Sequence, residues 1–152
     1  MATIRQKQST YALTILTHQR RSHFQRTANA DLFIATLFRY RDAGKFHIHG
    51  FAIMPDHVHV LITPAIDQNT SRCIQLIKGG YSFAVREQSP GEIWHSGYHE
   101  HRIRDDADFS AQKIYIANNP SRKNFENYPH VHTHATHLSR LDDPPIAMTQ
   151  AT

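Results

Sequence analysis

The sequence predicts one domain of the α+β class, in which an antiparallel sheet carries helices on one face. The chain has 152 residues, which is enough for a single domain with its own core. Strand-like and helix-like segments alternate along it, and a short turn containing proline joins two of the strand-like segments. Hydrophobic residues make up 39% and aromatic residues 10% of the chain, a composition typical of globular proteins.

The first predicted elements are a strand and a helix. Residues 11–17 (YALTILT) are rich in β-branched and aromatic side chains, which favour a strand. Residues 29–44 place apolar side chains at helical spacing. Thr27 or Asn29 could cap this helix, and Gly44 could end it because glycine adopts the left-handed backbone conformation common after a helix.

A hairpin and a second helix are predicted next. Residues 45–53 and 57–63 have strand-like composition and flank the turn Met-Pro-Asp, so they are expected to pair. Residues 69–88 begin with capping side chains and place apolar residues on one face, which predicts a helix. Gly79 and Gly80 weaken this helix by roughly 1 kcal/mol each relative to alanine, and they could permit close packing.

The last predicted elements are a strand and a third helix. Residues 98–104 (YHEHRIR) alternate in polarity, and residues 105–120 predict a helix that an aspartate caps and Pro120 ends. The order strand, helix, strand, strand, helix, strand, helix resembles a ferredoxin-like βαββαβ arrangement with an additional C-terminal helix. Residues 1–128 are expected to form this domain, and residues 129–152 a poorly ordered tail.

Charge and composition narrow the class of partner. Lysine and arginine number 17 against 13 acidic residues, and the pI is near 9.4, which favours an anionic partner such as nucleic acid. No apolar run reaches the roughly 18 residues needed to span a membrane, and we expect no secretion signal. Cys73 is the only cysteine, so no intrachain disulfide can form and a cytoplasmic location is expected.

Histidine pairs are the most unusual feature of the sequence. Three His-x-His pairs fall on predicted strands, where residues i and i+2 share a face: His47 and His49, His57 and His59, His99 and His101. The first two pairs are too far apart for one site, because the hairpin offsets them by roughly 13 Å. Each pair could be a ligand pair or simply two hydrogen-bonded histidines, and spacing does not choose among them.

The surroundings of the other histidines suggest different roles. The strand with His99 and His101 has arginines at its end and is expected to be an edge strand suited to phosphate contact. Four further histidines between His130 and His137 lie in the predicted tail. They could bind nickel or zinc, or they could be solvated.

The third helix adds two candidate functional residues on one face. Tyr115 and Asn119 are four positions apart, and the amide oxygen of Asn119 could act as a neutral metal ligand. Two imidazoles and one amide oxygen leave positions for water and a phosphate oxygen, a set suited to Mg²⁺ or Mn²⁺ more than to structural Zn²⁺. Beside such a metal the phenol of Tyr115 could act as a nucleophile, or Tyr115 could be a core aromatic between two isoleucines.

Several motifs, in their order along the chain, carry a family resemblance. MPDHVHVLI (54–62) resembles the HUH motif (His, hydrophobe, His) of single-strand DNA transposases. KGGYS, GYHEHRIRDDADF and YIANNPSRK follow it, and STYALTILTHQRRSHF (9–24) precedes it. Together these segments, covering about residues 9–127, resemble the REP-associated tyrosine transposases of bacteria. One departure is Asp56, which stands where the family often has asparagine and adds negative charge beside the first histidine.

The resemblance implies an activity and a set of site residues. Such enzymes cut and rejoin single-stranded DNA at short palindromic repeats that form hairpins. By resemblance, His57, His59 and Asn119 hold Mg²⁺ or Mn²⁺, and Tyr115, on the additional helix, is the catalytic nucleophile that forms a 5′-phosphotyrosine. The repeat-associated group is expected to act as a monomer.

Basic side chains supply the expected DNA contacts. The candidates for phosphate binding are Arg20, Arg21, Arg26, Lys78, Arg102, Arg104, Arg122 and Lys123. Three alternative functions stay open: a relative that binds hairpins without cutting them, a metal-dependent phosphoesterase that activates water, and a metal-binding protein that relies on the tail histidines.

Overall fold

The computed structural model of the protein describes residues 8–122, 132–133 and 140–144, except for the side chains of residues 119–122 and 132–133. Within this part the chain forms a sheet in the spatial order β4-β1-β3-β2-β5, and every neighbouring pair is antiparallel. The strands are β1 (Tyr11–Leu16), β2 (Phe46–Met54), β3 (His57–Pro64), β4 (His99–Arg102) and β5 (His132–Thr133).

Three α-helices connect and cover the strands: α1 (Thr27–Asp42), α2 (Thr70–Ala84) and α3 (Asp106–Arg122). The order β1-α1-β2-β3-α2-β4 is the predicted βαββαβ arrangement, and α3 is the predicted additional helix. The ferredoxin-like prediction is therefore confirmed. No helix in the described part of the chain combines the length and the apolarity that a membrane span requires.

The two faces of the sheet bury different sets of side chains. Leu13 and Ile15 of β1, with alternate residues of β2 and β3, pack in the large core that also contains the apolar residues of α1 and α2. The opposite face carries Ala52 and Leu61, and these pack with Ile116 of α3 in a second cluster. The sheet therefore lies between a helix pair on one face and α3 on the other.

The helix starts differ in how they are capped. The predicted caps of α1 are wrong, because the cap position is Arg26, and no side-chain hydrogen bond caps the helix there. Asn29 lies inside the helix, where its amide donates to the carbonyl of His23 at 2.9 Å and ties the helix to the preceding turn. By contrast, the Asn69 side chain accepts from the Arg72 amide and caps α2.

The third helix starts as predicted and ends later. The Asp105 carboxylate accepts from the Asp108 amide at 2.8 Å, so the expected aspartate cap is confirmed. The prediction that Pro120 ends the helix is wrong, because α3 continues to Arg122. A proline within a helix removes one backbone hydrogen bond and strains the preceding turn, at a cost of about 3 kcal/mol, but it does not force the helix to stop.

The β2–β3 hairpin separates the first two histidine pairs. Met54 pairs with His57, so the chain turns at Pro55 and Asp56. A β-bulge at His49 shifts the register of β2, because Ile48 pairs with Ile62 whereas Gly50 pairs with Leu61. No three metal-ligating side chains in the described part of the chain could share a metal ion, so the expectation that the two histidine pairs do not form one site is confirmed.

Asp142 lies in the predicted tail, and its contacts indicate that the pair His47 and His49 is structural. The Arg41 guanidinium donates to both carboxylate oxygens of Asp142, at 2.6 and 3.1 Å. The buried His49 ring is hydrogen bonded to the Asp142 carbonyl and to the Thr63 hydroxyl, both at 2.7 Å. This part of the tail lies against the domain; most of residues 129–152 lie outside the described residues.

Gly80 of α2 lies at the closest approach of α1 and α2. A Cβ atom placed on Gly80 would lie 2.5 Å from the hydroxyl oxygen of Tyr40, whereas one placed on Gly79 would meet nothing within 4 Å. The lack of a side chain at Gly80 therefore lets the two helices pack closely, as the sequence suggested.

We predict that Gly80→Ala lowers the free energy of unfolding relative to Gly79→Ala by about 1–3 kcal/mol, the usual cost of overpacking. Both substitutions add the same helix propensity, so their difference isolates the collision with Tyr40. Urea denaturation of the two variants measures it. Equal stabilities would mean that the Tyr40 ring moves aside without cost.

Candidate active site and metal centre

His57 and His59 lie on the face of the sheet that α3 covers. His59 pairs with Ala52 on one side and with Thr14 on the other, and directly paired residues in a sheet share a face. Ala52 belongs to the cluster beneath α3. The alternate residues Val58 and Val60 point into the main core, so the HVHV sequence sorts its imidazoles and its valines to opposite faces.

The two imidazoles are close together and are each held by a neighbour. Their ring centroids are 4.9 Å apart at an interplanar angle of 84°, and His57 is only 6% exposed. His57 Nδ1 is hydrogen bonded to Asp56 Oδ1 at 2.7 Å, and His59 Nδ1 to Thr14 Oγ1 at 2.9 Å. With Nδ1 occupied in this way, Nε2 is the nitrogen through which each ring could bind a metal.

Tyr115 lies on α3 beside these histidines. Its ring centroid is 6.3 Å from that of His59, and the residue is 38% exposed. The next residue, Ile116, is 2% exposed and supplies the core contact of this helical turn. The alternative that Tyr115 is a core aromatic is therefore wrong, because the residue is exposed and lies beside His59 at the surface.

A cleft of about 180 Å³ joins Tyr115 to the edge strand β4. Its lining includes His59, Tyr115, His99, His101 and Gln112. His99 pairs with Thr14, which in turn pairs with His59, so three strands present side chains in one row. The sequence predicted an edge strand here, but not that its histidines share a face with His57 and His59. Gln112, three positions before Tyr115, is a lining residue that helical spacing could have indicated.

His101 is held by a carboxylate at the start of α3. Its Nε2 atom lies 2.9 and 3.0 Å from the two oxygens of Asp108, which also accepts from the Arg104 amide at 2.9 Å. Burial alone would raise the pKa of Asp108, but these hydrogen bonds and the Arg104 charge outweigh it and lower the pKa. The carboxylate is therefore ionised near neutral pH and ties α3 to β4 at the end of the cleft.

The predicted third ligand lies on the same helix as Tyr115. Asn119 is one turn further along α3, but its side chain lies outside the described residues. Among the described residues, no group of three or more His, Cys, Asp or Glu side chains could hold a metal ion. The described donors are thus two imidazoles, which fit a divalent cation whose other ligands are oxygen atoms.

Asp56 connects the histidine pair to the predicted DNA contact Arg20. Asp56 Oδ2 accepts from Arg20 Nε at 3.1 Å and lies 3.0 Å from the terminal guanidinium nitrogen. Burial alone would raise the pKa of Asp56, but the hydrogen bond from His57 and the charge of Arg20 outweigh it and lower the pKa. Arg21 and Arg26 follow in the same segment and are exposed.

The remaining predicted phosphate contacts lie elsewhere. Arg102 and Arg104 are exposed at and after the edge strand β4, and the Arg104 side chain lies 3.5 Å from Asp108. Nothing is described of the Arg122 side chain, and Lys123 lies outside the described residues.

Lys78 has structural contacts that the sequence did not indicate. Its ammonium group donates to the carbonyls of His95 and Gly97, at 2.9 and 2.8 Å, and burial lowers its pKa. The Lys78 carbonyl in turn accepts from the Trp94 indole at 3.3 Å. Lys78 thereby fixes the loop that leads into β4, while phosphate contact by this residue stays a prediction.

This fold and site define a class of DNA-processing enzymes. The family model described as IS200-like transposase matches residues 5–119. The chain therefore belongs to the IS200-like transposase family, and the transposase prediction is confirmed. None of the curated proteins searched matches the chain.

Two solved structures are similar to this one. The first is a REP-associated tyrosine transposase bound to a REP hairpin, with 20% identity, a TM-score of 0.71 and coverage of 100% of this chain and 99% of the other. The second is a candidate transposase from Deinococcus radiodurans R1, with 18% identity, a TM-score of 0.58 and coverage of 78% and 95%. At these identities the likeness shows a shared fold.

We predict that Lys78→Met speeds amide hydrogen exchange in residues 95–102, because the loop loses two charge-assisted hydrogen bonds. Arg72→Met, an exposed change on the same helix, serves as the control. Exchange that matches the control, together with a salt dependence of DNA binding reduced by about 0.7–0.9 in log–log slope, would instead assign Lys78 to a phosphate.

Proposed function

We propose that the protein cuts and rejoins single-stranded DNA at hairpin-forming palindromic repeats, with Tyr115 as nucleophile. His57, His59 and Asn119 would hold Mg²⁺ or Mn²⁺. The observation that supports this most directly is the exposed Tyr115 ring 6.3 Å from the paired imidazole of His59, on the face covered by α3. Membership of the IS200-like family supports the same activity.

In the proposed reaction the scissile phosphate is transferred from a 3′-oxygen of the DNA to Tyr115, and then back to a 3′-oxygen. The Tyr115 oxygen loses its proton and attacks the scissile phosphorus; the bond to the 3′-oxygen breaks, and that oxygen leaves as a hydroxyl after gaining a proton. The product is a 5′-phosphotyrosine, and attack by a 3′-hydroxyl reverses the step without ATP. A bound divalent cation would supply positive charge that polarises the phosphate and stabilises the charge developing on its oxygens.

The position of Tyr115 also supports a monomeric enzyme. Because Tyr115 and His59 are neighbours within one chain, a single copy contains both the nucleophile and the ligand pair. Tyr115 would then act on a phosphate bound to the same subunit. This arrangement needs no second copy to complete the site.

Hairpin DNA is the proposed partner. The similar transposase is bound to a REP hairpin, and the net charge of +4 here favours a polyanion. Arg20 contacts Asp56 at the turn between β2 and β3, and the exposed Arg21 and Arg26 follow in the same segment, where all three could contact phosphates. The other proposed contacts are Lys78, Arg102, Arg104, Arg122 and Lys123.

We predict that Tyr115→Phe abolishes cleavage of a labelled repeat-hairpin oligonucleotide, by about 10³-fold or more, while hairpin affinity changes little. A denaturing gel should show a protein–DNA adduct with the wild type and with the control Tyr98→Phe, but none with Tyr115→Phe. Cleavage without an adduct, unchanged in Tyr115→Phe, would favour an enzyme that activates water. Binding without any wild-type cleavage would favour a hairpin-binding protein.

We predict that His57→Ala and His59→Ala each weaken Mn²⁺ binding by about 100-fold or more, because losing a ligand costs more than losing the group behind it. Calorimetric titration measures the affinity, and EDTA should abolish cleavage until Mn²⁺ is restored. The control is His47→Ala, an exposed histidine on the same hairpin. If replacing the tail histidines removed metal binding instead, the proposed site would be wrong.

A further inference from the structure

Asp56 joins a chain of polar contacts that ends at a proposed metal ligand. Arg20 holds one carboxylate oxygen of Asp56 at 3.0–3.1 Å, and the other oxygen lies 2.7 Å from His57 Nδ1. The two carboxylate oxygens therefore have separate partners. An ion pair on the exposed side and a hydrogen bond on the buried side together orient the carboxylate.

The backbone of Asp56 is also held in place. Its carbonyl accepts from both the amide and the hydroxyl of Thr17, at 3.0 and 2.9 Å. The carbonyl of the preceding Pro55 accepts from the Phe24 amide at 3.0 Å. These bonds fasten the hairpin turn to the segment that follows β1, so Asp56 has little freedom to leave His57.

The segment that carries Arg20 has an unusual backbone. Gln19 and Arg20 have φ values of 55° and 53°, a left-handed conformation that residues other than glycine seldom adopt. Such strain persists where surrounding contacts determine the conformation. Here the Arg20 side chain is directed at Asp56 and makes two contacts with it.

The bond between Asp56 and His57 lies in a mostly buried position. The side chain of His57 is 8% exposed and that of Asp56 is 29% exposed. A carboxylate that accepts from Nδ1–H keeps the imidazole in the tautomer with its lone pair on Nε2, fixes the ring orientation and makes Nε2 a better ligand. The Nδ1 atom of His59 is instead hydrogen bonded to the neutral hydroxyl of Thr14.

We propose that Asp56 is a positioning residue that fixes the tautomer and orientation of His57 for metal binding, with Arg20 holding Asp56 in place. The inference rests on the proposed metal site. It assigns a role to Asp56: the Nδ1 atom of His57 is hydrogen bonded to a carboxylate, whereas that of His59 is hydrogen bonded to a hydroxyl.

The tautomer of His57 in the metal-free protein tests the positioning role without reference to metal or activity. Long-range ¹H–¹⁵N NMR should show the proton on Nδ1 in the wild type and in Asp56→Asn, whose amide oxygen can still accept it. Asp56→Ala should show a mixture of tautomers. If Asp56→Ala folds and keeps the wild-type tautomer, the proposal is overturned.

Mn²⁺ titration gives the second readout. Asp56→Ala should weaken binding by about 10–100-fold, the usual effect of removing a group behind a ligand, and Asp56→Asn by less. Asp31→Asn, the same charge change on the exposed part of α1, should have wild-type affinity. Asp56→Asn remains informative if Asp56→Ala fails to fold, because an altered tautomer in Asp56→Asn would contradict the proposal.

The two proposals fail in different ways. If His57→Ala binds Mn²⁺ as well as the wild type, the metal site is wrong, whatever Asp56 does. If His57→Ala loses Mn²⁺ but Asp56→Ala binds it with wild-type affinity, the metal site stands and the positioning role of Asp56 is wrong.

Discussion

The antiparallel pairing of β3 with strands on both sides is the constraint on which the rest of the site depends. Pairing with β1 and β2 fixes the register of β3. The histidines and the valines of HVHV therefore lie on opposite faces of the sheet, in two different environments. The valines enter the main core, and the imidazoles face α3. A shift of one residue would exchange the two sets, placing the imidazoles in the main core and the valines on the face covered by α3.

The position of α3 follows from the side chains on that face. Ala12 and Ala52 are small, so the helix can pack closely through Ile116 and Phe109. Burying Ile116 leaves the adjacent Tyr115 at the edge of the contact, where it meets His59. Packing of the helix and exposure of Tyr115 are thus two results of the same helical rotation.

Much of the fold and of the site was predictable from local patterns. The strands, the hairpin, α2 with its Asn69 cap and the pairing of His57 with His59 all depend on residues close in sequence. The errors were at helix ends: α1 has no side-chain cap, and α3 runs beyond Pro120. In both, packing of the helix outweighs the preference of one residue at its end.

The sequence by itself determined the order of the elements, the family and the fact that each His-x-His pair shares a face, since these depend on neighbours along the chain. Only the tertiary structure decided which pair meets Tyr115 and which is structural. His49 is buried against Asp142, 93 positions away, whereas His59 is bound to Thr14, 45 positions away. Local periodicity is the same for all pairs, and their roles differ because strand order and register bring different distant partners to each.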